Sequence, residues 1–241
     1  MSSDVKSPLT AAQLSSLEAV LTPREVVELR NLYALSQGKL HIPYAKITPT
    51  EVQKKFLMSN SSDALFGGGV GGGKSKALCL SGMMYADVPN YKALFVRKTT
   101  RDLEAPGGLI APIREWLHKS GARWNHDYKR FYLKNSITIE FGHLETDSDA
   151  DRYQGQEYNF IGLDAAGQHT PNKFNALWQR IRRVKTDIIP SRMRLTANPG
   201  GPNHNFLKER YIDPKTATGE YYPATLKDNP FLDQEDYLSR L

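Results

Sequence analysis

The stretch from Gly67 to Gly73 is glycine at six of its seven positions, which takes up a third of the eighteen glycines in this 241-residue chain. An apolar run, ALF, comes just before it, and Lys74 and Ser75 follow at once. Glycine reaches dihedral angles that a Cβ excludes, and it lets the main chain approach a bound group closely. We therefore expect a buried strand, a tight glycine loop and a helix in this order, a unit typical of α/β folds.

The spacing within this loop is specific. Gly68, four further residues and then Gly73, Lys74 and Ser75 match the phosphate-binding pattern G-x-x-x-x-G-K-[ST]. In that pattern the lysine reaches the β- and γ-phosphates of ATP and the hydroxyl binds Mg²⁺, so these roles are assigned to Lys74 and Ser75. A flexible linker would not end in Gly-Lys-Ser between a strand and a helix. The residues expected to surround the phosphate oxygens with main-chain N–H groups are Gly68, Gly69, Val70, Gly71, Gly72 and Gly73.

A second apolar stretch, NFIGLD at 159–164, predicts another buried strand that ends on Asp164. The glycine loop and this carboxylate then meet at the carboxyl edge of a parallel sheet, where Asp164 and Ser75 would together position Mg²⁺. In hydrolytic proteins with this phosphate loop, a glutamate follows the strand-end aspartate and activates the attacking water. Here the residue after Asp164 is Ala165. Because alanine cannot accept a proton, we expect nucleotide to bind and hydrolysis to be severely slowed. The sequence leaves open whether this alanine is natural or introduced.

Buried strands alternate with helical stretches along the chain, which predicts an α/β fold of the P-loop NTPase type: a mostly parallel central sheet flanked by helices. An inserted β-hairpin around the turn at 134–136 departs from the alternation. We expect an N-terminal helical segment over 1–44 and an ATPase domain over 45–241 that includes a small C-terminal subdomain. Further strands are expected at 92–99, 192–199 and 219–226, and helices at 75–85, 108–119, 171–183 and 203–212.

Composition adds a weak indication of a polyanionic partner. The formal charge is +6 and the isoelectric point is about 9.2, a moderate basic bias. The single cysteine, Cys79, cannot form an internal disulfide, and its apolar neighbours predict a small buried side chain on a helix. No apolar run approaches the roughly 20 residues needed to cross a bilayer, and the N-terminus lacks the apolar segment of a secretory signal. A cytosolic chain without membrane contact is the expectation.

Several stretches in this order resemble the large terminase subunit of tailed bacteriophages, the ATPase that pumps DNA into procapsids. They are TPTEVQKKFL, FGGGVGGGKS, LFVRKTTRDL, DRYQGQEYNFIGLDAAGQ, LTANPGG and KDNPFL, and they cover roughly residues 45–235. The resemblance implies a homo-oligomeric ring that hydrolyses ATP and translocates double-stranded DNA. It also implies a portal protein and a small terminase subunit as partners, and a location in the host cytoplasm, docked on the procapsid.

The resemblance also implies roles for single residues. Gln53 is similar to a glutamine that contacts adenine, with a surface helical glutamine as the alternative. LTANP, with Asn198, is similar to a coupling motif that senses the γ-phosphate; the alternative is a turn or helix cap. Arg152 is the candidate arginine finger, directed at a neighbouring subunit's nucleotide, and a surface ion pair is its alternative. Arg97 and Arg101 are secondary candidates.

Two departures limit the resemblance. Many relatives carry an arginine in the phosphate loop where this chain has Val70, so no sensing role is transferred to that position. The family's ribonuclease H-type nuclease would follow Leu241, so we do not expect this chain to cut DNA.

A basic cluster is the candidate DNA contact, through phosphates and without base readout. A solvated helix face is the alternative. The cluster consists of Arg180, Arg182, Arg183, Lys185, Arg192 and Arg194. Two further functions stay open beside a packaging ATPase: a helicase-like P-loop ATPase, and a nucleotide-gated interaction module that binds ATP only to set subunit contacts.

Overall fold

A computed structural model describes residues 11–22, 25–26, 29–30, 40–182 and 189–232 of the chain. Seven α-helices lie in these ranges: α1 Ala11–Glu18, α2 Glu51–Leu57, α3 Lys74–Met83, α4 Thr100–Glu104, α5 Ile110–Leu117, α6 Pro171–Trp178 and α7 His204–Tyr211. Three 3-10 helices span Asp147–Tyr153, Ala166–Gln168 and Leu226–Asp228.

Eight strands of the described residues form one sheet. In chain order they are β1 Asp63–Gly67, β2 Lys92–Arg97, β3 Arg123–Asn125, β4 Arg130–Tyr132, β5 Thr138–His143, β6 Phe160–Leu163, β7 Arg192–Ala197 and β8 Glu220–Pro223. In space the order is β3-β4-β5-β2-β6-β7-β1-β8. The six strands from β5 to β8 in that spatial order are parallel, and β3 and β4 extend the β5 edge in antiparallel pairing. The α/β fold with a mostly parallel, helix-flanked sheet is therefore confirmed.

The central strands are buried on both faces, as their continuous apolar sequences predict. All positions of β1 and β6 are buried, and so are four of the six positions of β2. α3 packs on this sheet with seven consecutive buried residues from Ala77 to Met83, and the thiol of Cys79 lies among them. Burial raises the pKa of that thiol well above its usual range, which makes it an inert core residue.

The predicted hairpin is a three-stranded meander. β4 and β5 pair around the turn at 134–136 as expected, but β3 adds a second hairpin in which Trp124 faces Phe131 with ring centroids 4.5 Å apart. Lys129 has a positive φ in the first turn, and Asn135 and Ser136 have one in the second. In the second turn a positive φ falls on Asn135, a residue that tolerates it, whereas in the first turn it falls on Lys129, so the sequence indicated the second turn more clearly.

Helix ends differ from the sequence expectation in two places. The helix expected over 171–183 ends at Trp178, because the chain then turns into a parallel bridge between Ile181 and Tyr158. A short helix not expected from the pattern, α4, follows Thr99, where a capping box with Asp102 satisfies the first free N–H groups.

The N-terminal segment is described only in part. The Thr22 and Glu25 side chains make the reciprocal cap hydrogen bonds expected of a helix start. Arg30 pairs with Glu18 at 2.6 Å and with Asp87 of the α/β core at 2.7 Å, which joins the segment to the core. No helix among the described residues is long and apolar enough to cross a membrane.

Candidate nucleotide-binding site

The glycine loop connects β1 to α3 at the carboxyl edge of the sheet, as the sequence predicts. Gly73, the residue before α3, has φ +70°, which favours glycine. A Cβ on Gly68 would lie 2.0 Å from the carbonyl oxygen of Ala224, because the chain after β8 passes directly against the loop. At these two positions, then, glycine is required by the backbone conformation and by a close approach.

Two side chains hold the loop from outside. The amide nitrogen of Gln53 donates to the Gly73 carbonyl at 3.1 Å, while its oxygen accepts from the N–H of Thr50 in the capping box of α2. Asn229 donates to the Gly71 carbonyl at 2.7 Å. Gln53 is only 6% exposed, so its reading as a surface glutamine is wrong. Adenine contact by Gln53 stays a prediction, and the structure adds a second role, support of the phosphate loop.

Asp164 directly follows β6 and lies opposite the loop, 1% exposed. The hydroxyl of Ser75 is 3.1 Å from both carboxylate oxygens. Arg97, the last residue of β2, donates from Nε to Oδ2 at 2.7 Å. Thr196 of β7 donates to Oδ1 as well. Three neighbouring strands and α3 thus converge on one buried carboxylate, which explains how its charge is compensated in the interior.

β7 lies between β6 and β1, so its carboxyl end separates Asp164 from the glycine loop. Thr196 joins β7 to the β6 side of this gap at two points, because its hydroxyl donates to Asp164 and accepts from the N–H of Ala165 at 3.1 Å. Asn198 follows two residues later and lines the cavity in front of Asp164 as well as the open face of the glycine loop. The LTANP stretch is therefore at the site, as its proposed sensing role requires.

Ala165 lies at the position where a catalytic glutamate is expected, and it adopts a left-handed conformation with φ +53°. That conformation is uncommon for a residue with a Cβ, and such outliers gather at functional sites. Its side chain lines the cavity but offers neither donor nor acceptor. Among the described residues that line this cavity, Asp164 is the only carboxylate.

The cavity at this point has a volume of about 300 Å³. Its walls are Lys74, Ser75, Arg97, Asp164, Ala165, Gly167, Gln168, Thr196, Ala197, Asn198, Pro199, Gly200 and Gly201. Burial lowers the pKa of Lys74, and the neighbouring Asp164 opposes that shift. The Lys74 ammonium donates to the Gly69 carbonyl, so it lies over the loop that is expected to surround the phosphates.

The hydroxyl of Ser75 and the carboxylate of Asp164 are hard oxygen donors of the kind that Mg²⁺ prefers, at a mutual distance that one cation can bridge. No cluster of three His, Cys, Asp or Glu side chains suited to a metal occurs in the described part of the chain. A cation held by one or two protein oxygens and completed by phosphate oxygens and water fits this donor set, so the residues present suit Mg²⁺ bound together with a nucleotide.

The candidate arginine finger lies outside this cavity. Arg152 belongs to the 3-10 helix after β5, where its side chain is 55% exposed; it donates to Asp149 at 2.6 Å and lies 3.0 Å from Nε2 of His143. Its surface ion pair is therefore present, and a role toward another subunit stays a prediction. Arg101 is an exposed residue of α4, whereas Arg97 reaches into the site.

The described residues of the basic cluster range from exposed to fully buried, with Arg180 and Arg192 half-buried. Arg194 is fully buried, and it donates to the carbonyls of Ser59 and Ser61, so its prediction as a DNA contact is wrong. Arg182 is 61% exposed beside Glu157, at the end of the sheet where β6 begins. Arg183 and Lys185 lie outside the described residues.

Sequence reasoning missed Gln168 and Asn229, which line or support the site. Gln168 follows Asp164 by four residues, in a short 3-10 helix that the apolar pattern of the sequence does not predict. Asn229 precedes Pro230, a signal for a turn but not for contact with a loop more than 150 residues earlier.

No protein-family model and no curated protein matches the sequence. Solved structures do match. The large terminase of a thermophilic bacteriophage is 19% identical, with a TM-score of 0.64 over 79% of this chain and 50% of that chain. The same protein in complex with ATP-γ-S matches with 18% identity and a TM-score of 0.61, over 79% of this chain and 48% of that chain. The present chain thus spans about half the length of these large terminases.

A third structure matches over most of both chains. The large terminase ATPase domain of Thermus phage P74-26 is 14% identical, with a TM-score of 0.56 over 82% of this chain and 89% of that domain. At these identities the likeness concerns the fold. The chain has the P-loop fold of large terminase ATPase domains.

Proposed function

We propose that this chain is the ATPase domain of a large terminase, a motor that couples ATP hydrolysis to the translocation of double-stranded DNA into a procapsid, and that the chain itself binds ATP with Mg²⁺. The observation that carries the proposal is the convergence of Lys74, Ser75 and Asp164 on one cavity, with the Ser75 hydroxyl 3.1 Å from both oxygens of Asp164. The shared fold with large terminase ATPase domains supports it.

Each residue then has a defined task. The N–H groups of the glycine loop and the N-terminus of α3 bind the phosphates, and Lys74 neutralises charge on the β- and γ-phosphate oxygens. Ser75 and Asp164 would hold Mg²⁺, which supplies further neutralisation of the phosphate charge. Thr196 orients Asp164, and the nearby Asn198 is placed to respond to the γ-phosphate.

Hydrolysis by this chain is slow under the proposal. General base catalysis contributes about 10²- to 10⁴-fold to such reactions, and Ala165 lacks the group that would supply it. The same alanine favours a second function for this molecule, a nucleotide-gated interaction module in which bound ATP sets subunit contacts without turnover.

Nucleotide binding tests the core of the proposal. Calorimetric titration with ATP-γ-S and Mg²⁺ should give a saturable heat, and Lys74→Ala should weaken binding at least tenfold because the loop loses its ammonium. The matched control is Lys92→Ala, an exposed lysine at the opposite end of the sheet, which should bind as the parent does. Absence of heat, or equal affinity in Lys74→Ala, would refute the proposal.

A measurement of ATP turnover distinguishes an ATPase from a nucleotide-gated interaction module. Ala165→Glu places a carboxylate on the cavity wall, and we expect ATP hydrolysis to rise by about 10²-fold or more with little change in affinity. A variant that binds ATP as tightly as the parent and gains no turnover would reject the view that position 165 limits catalysis, and would favour the interaction module.

Assembly is part of the proposal. Arg152 is exposed on the same edge of the sheet as the nucleotide site, where it would donate to the nucleotide of the next subunit in a homo-oligomeric ring. We propose residues 45–241 as the ATPase domain with a small C-terminal subdomain, and 1–44 as a segment joined to it. By the same resemblance, the partners would be a portal protein and a small terminase subunit, on procapsids in the host cytoplasm.

DNA contact is proposed for the basic cluster without Arg194. Contacts to phosphates alone make binding strongly salt-dependent and independent of sequence. Reversal of charge at Arg182 and Arg183 should weaken duplex binding and flatten its dependence on salt. Unchanged binding would remove this surface from the proposal.

A further inference from the structure

Arg97 is the one arginine among the described residues that line the nucleotide cavity. It ends β2, next to β6 in the sheet, so its side chain reaches the carboxylate at the end of that strand. Nε donates to Oδ2 of Asp164 at 2.7 Å, and Nη1 donates to the carbonyl of Asp102 at 2.9 Å. Its second terminal nitrogen, Nη2, has no hydrogen-bond partner in the part of the chain that the structure describes, so its donors are free among these residues.

Asp164 is thus the meeting point of two cations. Arg97 contacts it directly, and the proposed Mg²⁺ would be held by the same carboxylate together with the hydroxyl of Ser75. A guanidinium and a divalent ion on one buried carboxylate repel each other strongly, since little water screens them there. Arg97 therefore needs another anion when the metal binds.

The terminal phosphate of a nucleoside triphosphate is the anion that arrives with the metal. Of the described residues on the cavity wall, Lys74 and Arg97 are the two with cationic side chains. The loop itself carries no arginine, and Val70 at its tip is apolar and exposed. A planar guanidinium with free donors is suited to a phosphate because it can make two parallel hydrogen bonds.

Arg97 can change partner without losing its position. The Nη1 bond to the Asp102 carbonyl anchors the side chain to the first turn of α4, and the capping box between Thr99 and Asp102 fixes that turn. Rotation about this anchor would move the remaining donors from Asp164 toward the centre of the cavity, where the side chain is already partly exposed.

We propose that Arg97 and Mg²⁺ alternate at Asp164, and that Arg97, once it leaves the carboxylate, binds the terminal phosphate of the nucleotide in its own subunit. The inference rests on the proposed function and deepens it, because it assigns the discrimination between a nucleoside triphosphate and a diphosphate to a residue of the same chain. No bond is made or broken in this step; one ion pair replaces another.

The test compares the affinities of ATP-γ-S and ADP by calorimetry, each titrated with excess Mg²⁺ and with a chelator, on the full chain. The parent should prefer ATP-γ-S by at least tenfold in Mg²⁺. Arg97→Ala should weaken ATP-γ-S at least tenfold and leave ADP within about twofold, which removes the preference. Arg97→Gln, which keeps a donor for Asp164 but no charge, should do the same if Arg97→Ala folds poorly.

The Mg²⁺ dependence of ADP binding is the second measurement. Without a competing guanidinium, the Mg²⁺ concentration that half-saturates ADP binding should fall at least threefold in Arg97→Gln. Arg114→Ala is the control: this exposed arginine lies on α5 over the Trp124 ring, and both affinities should stay at parent values.

The outcomes separate the two proposals. If the parent binds neither nucleotide, the proposed function fails and the inference fails with it. If the parent binds both and the Arg97 variants keep its ratio of affinities, or lose affinity for ADP and ATP-γ-S equally, only the inference is overturned, and Arg97 is a structural partner of Asp164.

Discussion

Acid should destabilise this protein through one buried histidine next to the site. His169 follows the 3-10 helix Ala166–Gln168 that begins just after Ala165, and it is fully buried. Burial lowers its pKa from 6.5 to about 4, and the positive charges of Lys173 and Lys98 add to the shift. The folded protein therefore resists protonation that the unfolded chain accepts, so stability is complete above about pH 6.5 and is lost as the pH falls toward 4.

The size of this loss follows from the two pKa values. A difference of 2.5 units corresponds to about 3 kcal/mol when both states are fully titrated. Between pH 7.5 and pH 5.0 the linkage relation gives about 2 kcal/mol, because at pH 5.0 the unfolded histidine is protonated and the folded one is still neutral.

Urea unfolding at both pH values measures the effect. His169→Leu places an apolar side chain of similar size in the buried position and removes the group that titrates. Its loss of stability between pH 7.5 and pH 5.0 should therefore be smaller than that of the parent by about 2 kcal/mol. His118→Leu, at an exposed position after α5, is the control, and its free energy of unfolding should fall as much as that of the parent between the two pH values. Equal losses in the parent and His169→Leu, at unchanged m-values, would refute the reasoning.

Two further predictions concern the loops that meet at the site. Thr196→Val keeps the shape of a buried side chain but removes a donor to Asp164, so we expect a loss of about 2 kcal/mol and a fall of several degrees in Tm, measured by calorimetry; an unchanged Tm would contradict it. A Cβ at Gly201 would lie 2.3 Å from the Gly167 carbonyl oxygen, whereas a Cβ at Gly200 meets open space at a similarly positive φ. Gly201→Ala should therefore be less stable than Gly200→Ala by about 1–3 kcal/mol and unfold at a lower temperature, and equal midpoints would show that the two loops move apart at no cost.

The sequence predicted the parts of the fold that depend on local pattern. The continuous apolar runs before Gly67 and Asp164 predict buried parallel strands, and both strands are found with their carboxyl ends at the site. The pattern G-x-x-x-x-G-K-[ST] predicts the loop, since its glycines are required by the local backbone conformation. These inferences needed only neighbouring residues.

The sequence could not predict which side chains meet across strands. Arg194 reads as a solvent-facing arginine in an alternating stretch, yet β7 is a central strand and its guanidinium is buried against main-chain carbonyls. Arg97 was only a secondary candidate, because its contact with Asp164 depends on the pairing of β2 with β6. The order of strands in a sheet is a long-range property that no local period encodes.

The site also shows how a change at the terminal phosphate could reach the rest of the domain. Asn203, the residue before α7, is fully buried; its main-chain N–H donates to the Gly167 carbonyl and its side-chain amide to the Ala166 carbonyl, both at 3.2 Å. The turn after Asp164 and the start of α7 are therefore bonded at two points and must move together. At the other end of α7, Arg210 pairs with Asp63 at the start of β1, at 2.8 Å. β1 leads into the phosphate loop, so α7 connects this strand to the turn that contains Ala165. A displacement of Asp164 would therefore act on the whole of α7 rather than on a loose surface segment.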